Sequence, residues 1–253
     1  MANDNRFAVL IDADNVSDKY IKFILDELSN DGIITYKRIY GDWTKPALGS
    51  WKNVLLANSI TPIQQYGYTT GKNATDSAMI IDAMDILYAG NIEGFCIVSS
   101  DSDFTRLASR LRESGMYVVG MGEKKTPTPF IAACNKFKYL EVLLQQDVSS
   151  VNLSDTGFAA SNAAGIAPLE AVRTSVDIIR KAVLTIVDET SDDDGWAPLS
   201  GIGNTLIKRF PDFDVRNYGF IKLTPFIKSL GSFEIKSMAS KDLNVKLIYI
   251  KKR

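Results

Sequence analysis

The sequence has 253 residues, of which 45% are hydrophobic and 23% charged, and its formal net charge is −1. This is ordinary globular composition, and the length suffices for one large or two modest domains. The sequence contains no histidine, which excludes a Ser-His-Asp triad, a His-ligated zinc ion and a histidine general base.

The chain begins with a polar, acidic segment, residues 1–6, that leads directly into a predicted strand. The segment lacks the basic and apolar regions of a secretory signal. No apolar run in the sequence approaches the roughly 20 residues of a membrane helix. We therefore expect a cytoplasmic protein without a membrane segment.

Apolar strands and amphipathic helices alternate over residues 6–144. The alternation predicts an α/β fold, a Rossmann-like parallel sheet with helices on both faces. The predicted strands are 7–11, 33–40, 61–65, 95–98 and 116–121. The predicted helices are 16–29, about 48–59, 75–88 and 104–114, followed by a small unit from 127 to about 144.

The regular pattern stops after residue 144, and residues 145–168 are rich in Ser, Ala and Gly. This composition predicts a flexible linker between a first domain, 1–144, and a second domain, 169–253. The predicted elements of the second domain are helices at about 169–188, 198–209 and 216–230, then strands at 233–236 and 245–250. Helices followed by a terminal hairpin predict a small α+β winged helix-turn-helix domain.

Carboxylates follow two of the predicted strands of the first domain. Asp12 and Asp14 come after the first strand, and Asp101 and Asp103 come after the strand at 95–98. The carboxyl ends of parallel strands meet at the edge where open α/β sheets bind ligands. Crowding of like charges costs free energy unless a cation neutralises them, so this edge is a candidate metal site.

Four carboxylates are the candidate catalytic residues: Asp12, Asp76, Asp101 and Asp103. Asp76 opens a predicted helix, where an acid is also a good N-cap, so a purely structural role stays open for it. Asp82 lies six residues later, about 240° around the helix, and faces another direction.

An all-oxygen site suits Mg²⁺ or Mn²⁺, and such sites usually serve phosphate chemistry. We predict that Asp12, Asp101 and Asp103 hold the metal directly or through water and that Asp76 completes the ring. The predicted orienting residues around them are Asn15, Ser99 and Ser100.

Three motifs of the first domain together resemble the NYN domains, which are PIN-like nucleases. The motifs are Ile11-Asp-Ala-Asp-Asn15, Lys72-Asn-Ala-Thr-Asp-Ser-Ala-Met-Ile-Ile-Asp82 and Ser99-Ser-Asp-Ser-Asp-Phe104. The resemblance covers residues 6–144 and implies a metal-dependent ribonuclease site on a Rossmann-like sheet. It assigns that site to Asp12, Asp76, Asp101 and Asp103. Ser100 departs from the pattern, because many members have glycine there.

The second domain resembles the OST-HTH module, also called LOTUS, over residues 172–252. The resemblance depends on the Gly195-Trp-Ala-Pro-Leu199 segment and on the Pro-x-Phe-Asp-x-Arg-x-Tyr-Gly run that ends at Gly219. It implies a winged-helix-like fold and RNA binding. NYN followed by OST-HTH is a known pairing, so each resemblance supports the other.

Basic and aromatic residues in both domains are candidates for RNA contact. The set is Lys45, Lys72, Lys124, Lys208, Arg209, Arg216 and Tyr218. A solvated surface explains the lysines equally well, and the aromatic residues of the second domain are more often core. From residue 169 onward there are 14 Lys and Arg against 11 Asp and Glu, whereas residues 1–168 have 15 against 19.

These observations predict an RNA-cleaving enzyme dependent on Mg²⁺ or Mn²⁺, with a C-terminal RNA-binding module. One alternative is an RNA-binding regulator without turnover. Another is a phosphatase of the haloacid-dehalogenase type, in which Asp12 attacks phosphate and Asp14 is the acid/base. Asp76 has no role in that alternative, and the Asp101-x-Asp103 spacing fits it poorly.

Overall fold

The computed structural model describes residues 5–67, 73–151, 174–239 and 246–253. The chain divides into two compact units, Met1–Ile166 and Ala167–Arg253. Most of the predicted linker, 145–168, lies outside the described residues. No helix in the described ranges is long and apolar enough to cross a membrane.

The first unit is built on a six-stranded parallel sheet with the order β3-β2-β1-β4-β5-β6. Its strands are β1 (Arg6–Asp12), β2 (Ile33–Gly41), β3 (Thr61–Gln64), β4 (Gly94–Val98), β5 (Tyr117–Gly122) and β6 (Lys136–Tyr139). Its helices are α1 (Ile21–Ser29), α2 (Trp51–Leu55), α3 (Ala74–Ala89), α4 (Thr105–Glu113), α5 (Thr128–Ala133) and α6 (Leu140–Val151). The predicted α/β class with a parallel sheet is confirmed.

Helices cover both faces of this sheet, so β1 and β4 are buried along nearly their whole length. Alternate residues of β1 belong to two different hydrophobic clusters. Leu10 packs with α3 and α4, whereas Val9 and Ile11 pack with α1. Burial on both faces explains why these strands are continuous apolar runs. The strand order places β1 and β4 side by side at the centre of the sheet.

Several helices of the first unit differ in length from the prediction. The helix expected from residue 16 begins with a 3-10 turn, Asp18–Tyr20, and is α-helical only from Ile21. The helix expected over 48–59 is the short α2. Helix α6 continues to Val151, past the predicted boundary at 144. Periodicity locates a helix better than it locates its ends.

The second unit contains α7 (Val176–Thr190), β7 (Ala197–Pro198), α8 (Leu199–Arg209), α9 (Leu223–Ser229), β8 (Phe233–Ala239) and β9 (Lys246–Lys252). The three strands form an antiparallel sheet with the order β7-β9-β8. The three helices and one face of the sheet enclose a separate core that includes Ile179, Ile202, Phe226 and Ile250. The predicted small α+β domain with a terminal hairpin is confirmed.

The helix predicted over 216–230 is wrong. The structure has a 3-10 turn, Val215–Tyr218, then a break at Gly219 and a separate helix, α9. Gly219 adopts φ +81°, a left-handed conformation that ends the turn and is accessible mainly to glycine. A Cβ atom there would meet no atom within 4 Å, so only the backbone conformation demands glycine.

Replacing Gly219 with alanine is expected to destabilise the second unit by about 1 kcal/mol, because alanine is strained at positive φ. Gly201→Ala is the matched control with the opposite sign, since Gly201 lies exposed within α8, where alanine is the better helix former. Amide hydrogen exchange of α8 and α9 in the full chain measures both effects. Equal exchange in the two variants would contradict this account of the break.

Candidate active site

Parallel pairing of β1 with β4 brings two acidic segments to one edge of the sheet. Ile11 pairs with Val98, so Asp12 and the Ser99–Asp103 segment leave the sheet side by side. Asp101 then caps a 3-10 turn, Ser102–Phe104, by accepting a hydrogen bond of 2.9 Å from the amide of Asp103. The turn therefore sets the positions of both carboxylates relative to the sheet.

Asp12 is fully buried and held by three donors. Its Oδ2 accepts from the Ser99 hydroxyl and from Asn15 Nδ2, each at 2.7 Å, and its Oδ1 accepts from the Asp14 amide at 3.1 Å. Burial raises the pKa of Asp12, and the three hydrogen bonds oppose that rise. The carboxylate is thereby fixed in one orientation at the tip of β1.

The two serines after β4 have different partners. Ser99 Oγ donates to Asp12 and also accepts from the Asp101 amide at 3.1 Å, so it links the two strand ends. Ser100 Oγ accepts from the Glu123 amide at 2.8 Å and anchors the loop after β5 instead. Of the predicted orienting residues, Asn15 and Ser99 contact a candidate catalytic carboxylate directly.

Asp76 lies in the first turn of α3, but it is not the N-cap. Asn73 occupies the N-cap position, and its Nδ2 donates to Asp103 Oδ2 instead of to the helix. Asp76 is therefore not the cap, although as the acid of the first turn it still interacts favourably with the helix dipole. Asn73 was missed from the sequence, because its partner lies 30 residues away and only the fold brings them together.

Asp76, Asp101 and Asp103 converge on one point. One carboxylate oxygen from each lies within 4.8 Å of the others. Burial raises the pKa of Asp76 to about 6, and the charges of Asp12, Asp101, Asp103 and Asp14 add to the rise. Negative charge is therefore concentrated at this edge of the sheet, as expected from the acids that follow the two predicted strands.

The donor set fits a hard divalent cation. Opposite ligands of an octahedral Mg²⁺ lie about 4.2 Å apart, so the spacing of these oxygens is close to what one ion requires. A cation would also relieve the repulsion that raises the pKa of Asp76. Asp12, one of the three predicted ligands, is not a member of this set, although its charge contributes to the raised pKa of Asp76.

Comparison with known families agrees with this geometry. The model of the NYN domain family matches residues 6–141, more than half of the chain. The chain belongs to the NYN family. The OST-HTH/LOTUS domain model matches residues 172–245, so both sequence resemblances are confirmed. NYN domains are typically ribonucleases, and an OST-HTH domain indicates RNA binding.

Two solved structures are similar to parts of the chain. A protein of unknown function from Vibrio parahaemolyticus shares 16% identity with a TM-score of 0.46, covering 55% of this chain and 94% of that one. An uncharacterized protein from Nitrosomonas europaea shares 32% identity with a TM-score of 0.29, covering 39% and 91%. No curated protein matches the chain. The function of the chain is therefore inferred from its family and from its acidic site.

The basic candidates of the NYN domain have distinct surroundings. Lys45 forms an ion pair of 3.0 Å with Asp14, which also accepts from the Thr75 hydroxyl at 3.4 Å, so Lys45 lies at the acidic edge. Lys72 lies outside the described residues. The Lys124 amide donates to the Glu141 carboxylate at 3.0 Å, which anchors the backbone of that loop.

Asp82 is separate from the acidic cluster, as its helical spacing predicts. Its carboxylate accepts from Arg38 and from the Tyr40 hydroxyl, both on β2. The pKa of Tyr40 is raised by burial and by the adjacent carboxylate. Asp82 thus joins α3 to the sheet, and Arg38 forms its ion pair with this carboxylate.

In the OST-HTH domain, two predicted RNA-binding arginines are paired with acids of the same domain. Arg209 Nη2 lies 2.6 Å from Glu189 Oε2, and Arg216 Nη2 lies 2.6 Å from Asp214 Oδ2. Lys208 is exposed on α8. Pairing offsets the positive charge that the two arginines would present to phosphate.

Tyr218 packs against the core of the OST-HTH domain. Its ring centroid lies 5.0 Å from that of Phe226 and 6.1 Å from that of Phe213. Its hydroxyl donates to the Thr174 carbonyl at 2.7 Å. These contacts favour a structural role for Tyr218 over the predicted stacking on bases.

Proposed function

We propose that this protein is a ribonuclease that depends on Mg²⁺ or Mn²⁺ and hydrolyses RNA phosphodiester bonds at the acidic edge of its NYN domain. The observation that carries the proposal is the convergence of Asp76, Asp101 and Asp103 on one point beside the buried Asp12. Structural roles alone do not account for a half-buried carboxylate, Asp76, whose pKa is raised to about 6 by burial and by the charges of the neighbouring acids.

In this proposal Asp76, Asp101 and Asp103 would hold the cation, and Asp12 would face it from the buried strand end. A divalent ion bound there would activate water and neutralise charge on the phosphodiester. The chain has no histidine that could serve as a general base instead. Ser99 and Asn15 orient Asp12 and oppose the rise of its pKa that burial causes, because each donates to its Oδ2. Asn73 keeps Asp103 turned toward α3.

Lys45 is the basic group that we assign to the scissile region of the RNA. Lys45 is also paired, with Asp14, but its side chain stays 50% exposed, more than that of Arg209 or Arg216, so its ammonium can contact a phosphate oxygen beside the carboxylates. This arrangement also weakens the phosphatase alternative. A phosphatase of that type needs Asp14 as a free acid/base, whereas here Asp14 pairs with Lys45 and accepts from Thr75.

We propose further that residues 1–144 form the nuclease domain, that 145–168 connect the domains and that the OST-HTH domain, 169–253, brings RNA to the nuclease. Covalent connection raises the concentration of bound RNA near the acidic edge. The N-terminal part has a negative charge balance, so a second domain with an excess of Lys and Arg helps it to engage an anionic substrate.

Cleavage of end-labelled single-stranded RNA tests this function. Wild type is expected to cut in Mg²⁺ or Mn²⁺ and to stop in chelator, and Asp101→Asn is expected to cut at least ~100-fold more slowly. Asparagine keeps the acceptor for the Asp103 amide, so the turn remains while the charge is lost. Asp85→Asn, an exposed site on α3, is the matched control and should cut like wild type.

Two results would contradict the nuclease. Cleavage that persists unchanged in chelator would remove the metal from the proposal. RNA binding without cleavage in either metal would leave the regulator without turnover as the function.

A further inference from the structure

The three-stranded sheet of the OST-HTH domain has one face turned away from the core. Along β8, Phe233 and Ile235 point inward, whereas Glu234, Lys236 and Met238 are exposed. This is the period-two alternation of a sheet with one buried face. We call the opposite face the outer sheet face and define it by Glu234, Lys236, Met238, Leu247, Tyr249, Lys251 and Trp196. Glu234, the one acid among these residues, is the cross-strand neighbour of Lys251.

Strand pairing places the β9 members of this face. Lys236 pairs with Tyr249, and Met238 pairs with Leu247, so each pair lies on the same side of the sheet. Met238 and Leu247 are 47% and 44% exposed, which is high for large apolar side chains. The buried Ile250 lies between Tyr249 and Lys251 and points to the core, so its two neighbours point outward.

Trp196 extends the face on the β7 side. It precedes Ala197, which pairs with Ile250, so Trp196 lies beside Lys251 across β9. The Lys236 ammonium lies 5.6 Å from the centroid of the Trp196 ring, which confirms that both side chains are on this face. A cation over an aromatic ring supplies the two contacts that a nucleotide needs, one for phosphate and one for the base.

Lys236 and Lys251 differ from three other cations of the domain. Arg209, Arg216 and Lys252 are each paired with a carboxylate of the same domain. In the described ranges, Lys236 and Lys251 form no ion pair, and Lys236 contacts an aromatic ring instead. Lys236 and Lys251 are therefore available to phosphate, in addition to exposed lysines on the helices such as Lys208 and Lys228.

We propose that the outer sheet face binds single-stranded RNA. Bases stack on Trp196 and Tyr249, phosphates pair with Lys236 and Lys251, and Met238 with Leu247 makes the apolar margin of the site. Single strands fit because their bases are free to stack on the rings, whereas duplex bases are stacked internally. This inference rests on the proposed function, because it takes RNA as the ligand. It assigns the main RNA contact of the OST-HTH domain to the sheet instead of to α8 and Tyr218, where the sequence predicted it.

Binding of a fluorescent single-stranded RNA of about 12 nucleotides tests the site. Anisotropy is measured on the full chain in chelator, so that cleavage does not interfere. Trp196→Ala is expected to weaken binding ~10-fold or more, and Trp196→Phe should recover most of the affinity. Lys236→Ala should weaken binding and lower the salt slope by about one, whereas Lys228→Ala, an exposed lysine on α9, should do neither.

Three results would overturn this site. Unchanged affinity in both Trp196→Ala and Lys236→Ala removes the face from RNA binding, provided that both variants keep the wild-type circular dichroism spectrum. Competition by duplex as strong as by single strand removes the stacking. Self-association of wild type that Met238→Ser abolishes, with RNA binding unchanged, makes the face a protein interface.

The outcome is independent of the nuclease test. Wild type that cleaves RNA while the sheet variants bind normally refutes this site and leaves the nuclease. Binding that depends on Trp196 and Lys236, without cleavage in either metal, supports this site and refutes the nuclease.

Discussion

Asp76→Asn is expected to stabilise the metal-free protein and to abolish RNA cleavage. The pKa of Asp76 rises from 3.8 to about 6, first through burial and then through four neighbouring carboxylates. Since the folded state binds the proton more tightly than the unfolded state, stability falls as the pH rises from about 4 to about 6. At neutral pH the penalty is complete, about 1–2 kcal/mol after allowance for partial solvation.

Thermal unfolding in chelator measures the effect. At about pH 7.5 Asp76→Asn should unfold at a higher temperature than wild type, and by about pH 4 the difference should disappear because wild-type Asp76 is protonated. Saturating Mn²⁺ should reverse the order, since wild type then gains more binding energy. Asp85→Asn should show none of these changes. A variant less stable than wild type in chelator would mean that Asp76 supports the fold.

Wild type is expected to be less stable than Asp76→Asn without metal and yet more active, and both expectations follow from how the site is built. β1 and β4 are the central strands, so their ends are rigid and cannot move apart to relieve repulsion. Asp12 is also fixed by its three donors. Under the proposed function, a cation bound here would offset the repulsion that adds to burial in raising the pKa of Asp76, so metal binding would be coupled to stability.

The sheet and its acidic edge could be predicted from the sequence because both depend on local patterns. Strands buried on two faces are continuous apolar runs, and Phe7–Ile11 and Phe95–Val98 have that form. Asp12 and Asp101 follow those runs directly, so the parallel order brings them together. Asp76 comes from a helix after β3, so it was a weaker candidate from the residues alone, and the family resemblance added support for its place in the site.

Contacts between distant residues could not be predicted in this way. Asn73 donates to Asp103, and Arg209 pairs with Glu189, although nothing in either local sequence indicates its partner. The break at Gly219 was missed because the flanking apolar spacing fits one continuous helix. The two-residue strand β7 is too short for a period-two pattern, so the outer sheet face was not predicted either.

Ser99→Ala is expected to destabilise the protein by about 2–3 kcal/mol and to slow cleavage by ~10–100-fold. The buried Ser99 hydroxyl donates to Asp12 Oδ2 at 2.7 Å and accepts from the Asp101 amide at 3.1 Å. Alanine removes both bonds, leaving Asp12 with Asn15 alone at that oxygen. Loss of this donor also raises the pKa of Asp12 further, because the Ser99 hydrogen bond is what most opposes the effect of burial.

Urea unfolding and RNA cleavage in Mn²⁺ measure the two effects on the same preparations. The control is Ser102→Ala, the same change at an exposed position of the same loop, which should leave both quantities near wild type. If Ser99→Ala lost stability but cleaved at the wild-type rate, the hydroxyl would be a packing element without influence on Asp12. If Ser99→Ala instead cleaves RNA more slowly than its loss of stability explains, under conditions in which the variant is still folded, Ser99 is the residue through which β1 and β4 hold their carboxylates in a common orientation.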